Sequence, residues 1–381
     1  MRVALIGTRG VPARYGGFET AIEEVGHRLA SRGHEVVVFC RVPEDAEPLD
    51  SYLGMQLVNL PSVKKRSLET LSHTALSVIH STLAGVEAAI VFNAANSPLL
   101  PVLRARRIPV ATHVDGLEWQ RSKWGRLGRS YYRFAESLSV KLSEALIADA
   151  QGIADYYTTE FEAPTRLIAY GAPILESVAD DRLAELDLSP GGYHLVVARF
   201  EPENHVLEIV DGYVRSRARL PLVVVGSAPY ADEYTQSIRA ASDARVRLLG
   251  GVWDQDQLNQ LYAHSLSYLH GHSVGGTNPS LLRAAGAGAM VIGFDVAFNR
   301  EVVGEHGEYF ATPEDVAREL EAVEADSELA RERGCALQEA IRRYSWETVA
   351  DQYEQLFSDL SMGQKRWRDR PSGRRRTRGS L

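Results

Sequence analysis

The residues best suited to chemistry fall in four clusters, each just after a short apolar run. The first, Gly7-Thr8-Arg9-Gly10, continues through Arg14-Tyr15-Gly16-Gly17-Phe18-Glu19. Gly-x-Gly-x-x-Gly is absent and the loop is too long for a dinucleotide fingerprint. Gly16 and Gly17 lead into a helical pattern, so bare backbone amides can approach an anion at its N-terminus. A plain tight turn fits the two glycines equally well. Arg9 and Arg14 tilt the balance toward phosphate.

The second cluster, Gly275-Gly276-Thr277-Asn278-Pro279, reads as a flexible loop, an N-cap and a proline at the first helical position. It makes another anion-ready helix start. His270 and His272 flank Gly271 just before it; a His-x-His pair alone points to hydrogen bonding or packing rather than a metal. Third, Arg199 ends an apolar run and is followed by Glu201-Pro202-Glu203-Asn204. A cation at a strand's carboxyl end can neutralise a leaving diphosphate, and a surface ion pair is the plainer alternative. The fourth cluster, His113-Val114-Asp115-Gly116-Leu117-Glu118-Trp119 with Arg121, Lys123 and Trp124, groups a His, two carboxylates and aromatics. Such groups can grip or deprotonate a sugar hydroxyl.

The elements that must hold these clusters alternate along the chain. Strand-like runs fall at Val3–Gly7, Glu35–Cys40, Gln56–Leu60, Ala88–Asn93, Val110–Asp115, Ala145–Ala150 and Arg166–Tyr170, with amphipathic stretches such as Phe18–Ser31 and Arg129–Leu142 between them. Near-continuous apolar strands separated by helices predict a parallel sheet covered on both faces. The pattern restarts after the Pro- and Gly-punctuated stretch Gly171–Gly192, with strands at His194–Arg199, Leu222–Gly226, Val246–Leu249, Leu266–Leu269, Met290–Phe294 and near Tyr309. Two αβ arrays predict two Rossmann-like domains, 1–171 and 172–343, with ligands at the carboxyl ends of their strands. A last amphipathic helix spans Tyr344–Leu360.

Composition agrees with this frame. A length of 381 residues suits two domains, and 45% hydrophobic with 24% charged residues is the balance of a soluble globular chain. Cys40 and Cys335 match no metal or redox spacing, which favours a reducing compartment. The apolar start Val3–Ile6 is too short for a signal peptide, and Thr74–Phe92 carries His80 and Glu87, so it fails as a membrane span. The tail from Gly363 to Leu381 holds eight bases against one acid, +7, leaving −15 on residues 1–362 of a chain at −8. An acidic body argues against nucleic-acid binding, while the tail is free to meet an anionic surface.

The segment Thr8–Thr20 resembles the opening of retaining GT-B glycosyltransferases related to the bacterial rhamnosyltransferases of polysaccharide biosynthesis. Val114–Trp119, Arg199–Asn204 and His272–Leu282 are similar to the same group, in register over about residues 1–360. The resemblance implies an α/β GT-B fold, two Rossmann-like domains facing across a cleft, with the final helix (344–361) returning to the N-terminal, acceptor-side domain. It implies transfer of a sugar, rhamnose for example, from a nucleoside-diphosphate sugar to a saccharide or lipid-linked acceptor, with no metal and no cofactor beyond that co-substrate. Gly16, Gly17, Gly275, Gly276, Thr277, Asn278, Arg283 and Arg199 would hold the donor and its diphosphate. His113, Asp115, Glu118 and Arg199 would be catalytic, and Arg14, Trp119, Arg121 and His272 would contact acceptor or sugar. The chain would work in the cytoplasm, with its tail at the inner membrane face.

Two positions depart from the wider superfamily, which carries a glutamate against the donor sugar and a second one against the ribose; here these are Gly275 and Arg283. Arginine cannot accept a hydrogen bond from ribose hydroxyls. A non-catalytic GT-B partner or regulatory protein with a degenerate donor site is therefore the alternative from another class. Within the fold the rivals are an epimerase and a phosphorylase, and the lack of a lysine in a cofactor-anchoring context weighs against the latter.

Overall fold

A computed structural model describes residues 1–13, 16–42, 47–63, 69–114, 116–121, 124–226 and 232–363. Arg14, Asp115 and the basic segment from residue 364 onward lie outside the described residues. The first sheet is built from β1 (Arg2–Ile6), β2 (Glu35–Arg41), β3 (Ser51–Tyr52), β4 (Met55–Leu60), β5 (Ala88–Phe92), β6 (Val110–His113), β7 (Ala145–Ala148) and β8 (Arg166–Leu167). Their order is β3-β4-β2-β1-β5-β6-β7-β8, parallel except for the short antiparallel edge pair β3–β4. The second sheet holds β9 (His194–Val197), β10 (Leu222–Val225), β11 (Val246–Gly250), β12 (Ser267–His270), β13 (Met290–Phe294) and β14 (Glu308–Phe310). It is parallel throughout, in the order β11-β10-β9-β12-β13-β14.

Helices α1 (Gly17–Ser31), α2 (Glu69–Ser81), α3 (Leu100–Ala105), α4 (Arg126–Leu142) and α5 (Gln151–Phe161) accompany the first sheet. With the second go α6 (Val206–Arg215), α7 (Asp232–Ala241), α8 (Gln255–Ala263), α9 (Pro279–Gly286), α10 (Ala297–Val303), α11 (Pro313–Ala325) and α12 (Ser327–Ala340). The chain then runs into α13 (Trp346–Ser361).

Alternation along each strand feeds two faces. On β1, Val3 and Leu5 pack with Ile22, Val25 and Leu29 of α1 and with Tyr353, Leu356 and Phe357 of α13. Ala4 and Ile6 point the other way, toward Val78, Leu100 and Leu103 beneath α2 and α3. Val140 of α4 meets Leu146 and Ala148 of β7 and Tyr157 of α5 in a neighbouring cluster. Full burial on both faces is what makes these strands continuous apolar runs.

Helix α13 follows the second sheet in sequence yet packs on the first. Arg28 of α1 pairs with Glu347 at 2.7 Å, Arg32 with Glu354 at 2.8 Å, and Arg166 at the edge of β8 with Asp359. The return predicted for the last helix is thus present. One core cluster runs from Val3 and Leu5 through Tyr193, Leu195 and Leu281, so the two sheets share a continuous interior. The stretch 171–192 lies against the second sheet, with Leu183 buried and the Gly191 amide donating to His264 O at 2.8 Å. Among the described residues no helix is long and apolar enough to cross a membrane.

Candidate active site

Each sheet reverses direction around its first strand: β1 lies between β2 and β5, and β9 between β10 and β12. Such switch points open a crevice at the carboxyl ends of the strands. The Gly7–Gly17 segment follows β1, the Arg199 segment follows β9, and the His270–Asn278 segment follows β12. The topology therefore places three of the four sequence clusters at the two crevices.

The two crevices meet. Gly17 lies so near the start of α9 that a methyl group added to it would stand 3.1 Å from Pro279 Cγ. A methyl on Gly116 would come within 2.3 Å of Gly275 Cα. One on Gly276 would fall 2.0 Å from Asp149 Oδ1 at the end of β7. At Gly116 and Gly276 a side chain has no room, and at Gly17 it would require Pro279 to give way. Gly16 and Gly275 also hold φ of 109° and 137°, which side-chain-bearing residues rarely adopt. Helix α1 has no side-chain cap, and in α9 Asn278 Oδ1 accepts the Ser280 amide at 2.9 Å. Two helix starts thus converge, each with the partial positive charge of its unpaired amides.

Charged groups from both sides line the same cleft. Arg121 Nε lies 2.5 Å from Glu118 Oε2, and its Nη1 lies 3.7 Å from Glu201 Oε2. Arg199 Nη2 approaches that same Glu201 oxygen at 3.4 Å. Glu201 therefore bridges an arginine from each sheet. Trp124 Nε1 stands 3.5 Å from Glu118 Oε1.

His272 closes the second side. Asn204 Nδ2 donates to Arg199 O at 2.8 Å, so its Oδ1 is the acceptor for His272 Nδ1–H at 2.9 Å. This network leaves Nε2 as an acceptor on the side of Gly275. Burial, and after it the charges of His270, Arg121, Arg199 and His205, hold His272 well below its usual pKa. The ring stays neutral.

His113 is one of the groups expected to grip or deprotonate a sugar hydroxyl. It is fully buried at the end of β6, stacked on Phe92 with centroids 5.3 Å apart and on Tyr170 at 6.0 Å, with Phe18 edge-on at 5.1 Å. Burial lowers its pKa to about 3, and neither ring nitrogen has a partner among the described residues. A ring held neutral in this way suits gripping a sugar hydroxyl better than deprotonating it.

Trp119 is half-buried, with the Arg133 guanidinium of α4 5.4 Å from its ring centroid. Arg283 lies further along α9, where its Nη1 donates to Gln255 Oε1 at 2.8 Å at the head of α8.

Asp149 was not among the residues singled out from sequence. Its main-chain carbonyl accepts Thr277 Oγ1 at 2.7 Å, while its carboxyl Oδ1 is buried without a hydrogen-bond partner. Burial, with the Glu301 charge behind it, raises its pKa to about 7 against the pull of its own amide and the Tyr170 hydroxyl. A carboxylate closing the apolar run Ala145–Ala148 was the available signal. Glu19 in the first turn of α1 is also raised by burial, although the Arg9 amide donates to it at 3.1 Å and Arg9 and Arg41 lie near.

Comparison with known proteins fits this architecture. Residues 193–326 match the family model described as glycosyl transferases group 1, and residues 109–173 match a domain of unknown function, DUF1972. No curated protein matches the chain significantly. Sucrose-phosphate synthase from Thermosynechococcus elongatus is similar in structure, with a TM-score of 0.82 and 19% identity, over 95% of this chain and 99% of that one. HepE from Anabaena in complex with UDP-glucose matches with a TM-score of 0.76 and 15% identity, over 94% of this chain and 100% of that one. A trehalose-6-phosphate protein from E. coli bound with UDP-2-fluoro glucose matches with a TM-score of 0.67 and 12% identity, covering 95% and 99%. The chain has the GT-B fold of glycosyltransferase structures, and its second Rossmann-like unit matches the group 1 glycosyl transferases.

Proposed function

We propose that the chain is a glycosyltransferase that moves a sugar from a nucleoside-diphosphate sugar to a saccharide acceptor. The observation that carries this is the meeting of two glycine-led helix starts, Gly16-Gly17 and Gly275–Asn278, beside Arg199 and Arg121 at the switch points of both sheets. A departing diphosphate develops negative charge, and preorganised amides with two guanidinium groups stabilise it without reorganising solvent. The sugar-nucleotide complexes of the similar HepE support a donor of this class.

In this assignment Gly16, Gly17, Gly276, Thr277 and Asn278 form the diphosphate cradle, and Arg199 and Arg121 supply the charge. Neutral His272 offers Nε2 to a sugar hydroxyl, Glu118 holds Arg121 in place, and Trp119 forms an acceptor-side wall. Arg14 and Asp115 belong to the same proposal by their place in the sequence. Residues 1–171 would be the acceptor-side domain and 172–343 the donor-side one. Retention of configuration, rhamnose as the sugar, independence from metal, a lipid-linked acceptor and a cytoplasmic tail-anchored location rest on the motif resemblance and the tail's charge.

Stabilisation by nucleotides tests donor binding. A panel of nucleoside diphosphates and their sugars should raise the Tm, with uncharged nucleosides doing less. One observation favours the non-catalytic alternative: Arg283, which the motif resemblance would set beside the ribose, is hydrogen-bonded to Gln255. Absence of any shift at millimolar nucleotide would select that alternative.

A further inference from the structure

Of the fourteen large apolar side chains exposed among the described residues, six lie on one face of the molecule. Leu76, Ile79 and Leu83 form a stripe along and just past α2; Val102 lies on α3; Leu127 and Phe134 stand two turns apart on α4. Leu127 is 88% exposed, Leu83 74% and Phe134 56%. The three helices are neighbours on one side of the first sheet. Tyr131 on α4 donates to Ala95 O just before α3 at 2.8 Å, and Arg104 of α3 donates to Leu142 O at 2.9 Å. Their inner faces already fill the core with Val78, Leu100, Leu103 and Val140. The outward apolar groups are therefore surplus to folding.

Bases flank the apolar groups of α3 and α4. Arg106, Arg107, Arg126, Arg129, Arg133 and Lys141 are exposed on or beside α3 and α4. The acids on or beside the three helices are Glu69, paired with Arg41 at 2.6 Å, Glu136, which is buried, Glu87, exposed past α2 and accepting the Arg2 amide at 2.7 Å, and Glu144, half-buried and 3.8 Å from Arg104. Residues 1–362 carry −15 overall, so a basic apolar face runs against the charge of the rest of the body. Arg126, Arg129 and Arg133 follow one helical stripe, and Leu127 and Phe134 follow the next. Bases beside apolar side chains are the chemistry of a surface that dips into the headgroup region of an anionic bilayer.

We propose that the outer face of α2, α3 and α4 docks on an anionic lipid bilayer. A second copy of the chain fits this face poorly, because a self-complementary contact would set basic rims against each other. The proposal stands apart from the transfer reaction and from the C-terminal tail. Arg133 also touches Trp119, so the docked face borders the acceptor side of the proposed site.

Co-sedimentation of the full chain with vesicles at low salt tests this. Vesicles of equal phosphatidylglycerol and phosphatidylcholine should pellet the protein, and pure phosphatidylcholine should not. Leu127→Asp combined with Phe134→Asp should weaken the anionic partition at least tenfold, and Arg126→Glu with Arg129→Glu should do so too. All four positions are exposed, so circular dichroism melts should match the parent. Variants that pellet like the parent would assign binding to the tail and overturn the proposal. Equal binding to both vesicle types would overturn it as well. So would light scattering that shows a parent dimer dissolved by these substitutions, since a second copy would then own the face.

Discussion

Thr277 Oγ1 donates to the main-chain carbonyl of Asp149 at 2.7 Å, which ties the glycine loop of the second sheet to the end of a strand in the first. The contact spans 128 residues of sequence and is buried. It fixes Gly276 against Asp149, where an added methyl group would stand 2.0 Å from Oδ1. The same apposition of loop and strand leaves the Asp149 side chain buried.

The pH dependence of stability follows from that burial. Asp149 has a folded-state pKa of about 7, above the 3.8 of an exposed aspartate. Neutral Asp149 therefore contributes stability that is fully present below the unfolded value and is lost as pH rises through about 7. Within that window the parent should lose up to about 1.4 kcal/mol per pH unit relative to Asp149→Asn. Chemical denaturation of both proteins at pH 4.5, 6 and 7.5 measures it. Parallel stability profiles would show that the carboxyl is solvated.

Gly276→Ala places a methyl group 2.0 Å from Asp149 Oδ1. The loop must move, at a cost of about 1–3 kcal/mol for overpacking. Nucleotide-sugar affinity should fall with stability, because the displaced amides belong to the cradle. Thermal melts with and without nucleotide separate the two effects.

Arg199→Ala should reduce kcat on the order of 10²-fold while leaving the melting curve near the parent's, since the side chain is part-exposed and would meet the leaving diphosphate. Glu201→Gln should act differently. It frees Arg199 and Arg121 from a shared carboxylate and should tighten binding of free nucleoside diphosphate. Unchanged kinetics in Arg199→Ala would reduce this arginine to a surface ion pair.

Arg283→Glu restores a hydrogen-bond acceptor where ribose is recognised in the wider superfamily. In a working site that uses the arginine's charge, donor affinity should drop about tenfold, the scale of one charge-assisted hydrogen bond. A gain in affinity would mark Arg283 as a handicap and favour the non-catalytic alternative. Titration calorimetry with a nucleoside-diphosphate sugar reads the sign directly.

Much of the fold was legible because local pattern and global demand coincide. Val3–Ile6 or Leu222–Val225, apolar throughout, can only be strands buried on both faces. The edge strand β3 was missed because Ser51–Tyr52 is too short to show a period, whereas its partner β4 was legible as Gln56–Leu60. Gly16-Gly17 and Gly275-Gly276 were legible as glycines between a strand and a helix. Asp149 was not, since its importance comes from Gly276 and Thr277, brought to it only by the apposition of the two sheets. The Arg121–Glu201–Arg199 bridge was hidden for the same reason. Whether His113 grips or deprotonates was not legible, because sequence shows its neighbours in the chain, while Phe18, Phe92 and Tyr170 enclose it in space.

The central claim is that the cleft transfers a sugar from a nucleotide donor. Its most direct test is mass spectrometry of a saccharide acceptor panel, incubated with the full chain and a set of nucleoside-diphosphate sugars. One donor should add a single glycosyl mass to an acceptor, with stoichiometric release of nucleoside diphosphate, and Arg199→Ala should remove most of that signal. A panel in which no donor yields a product, from protein that also fails to bind nucleoside diphosphates at millimolar concentration, would contradict it.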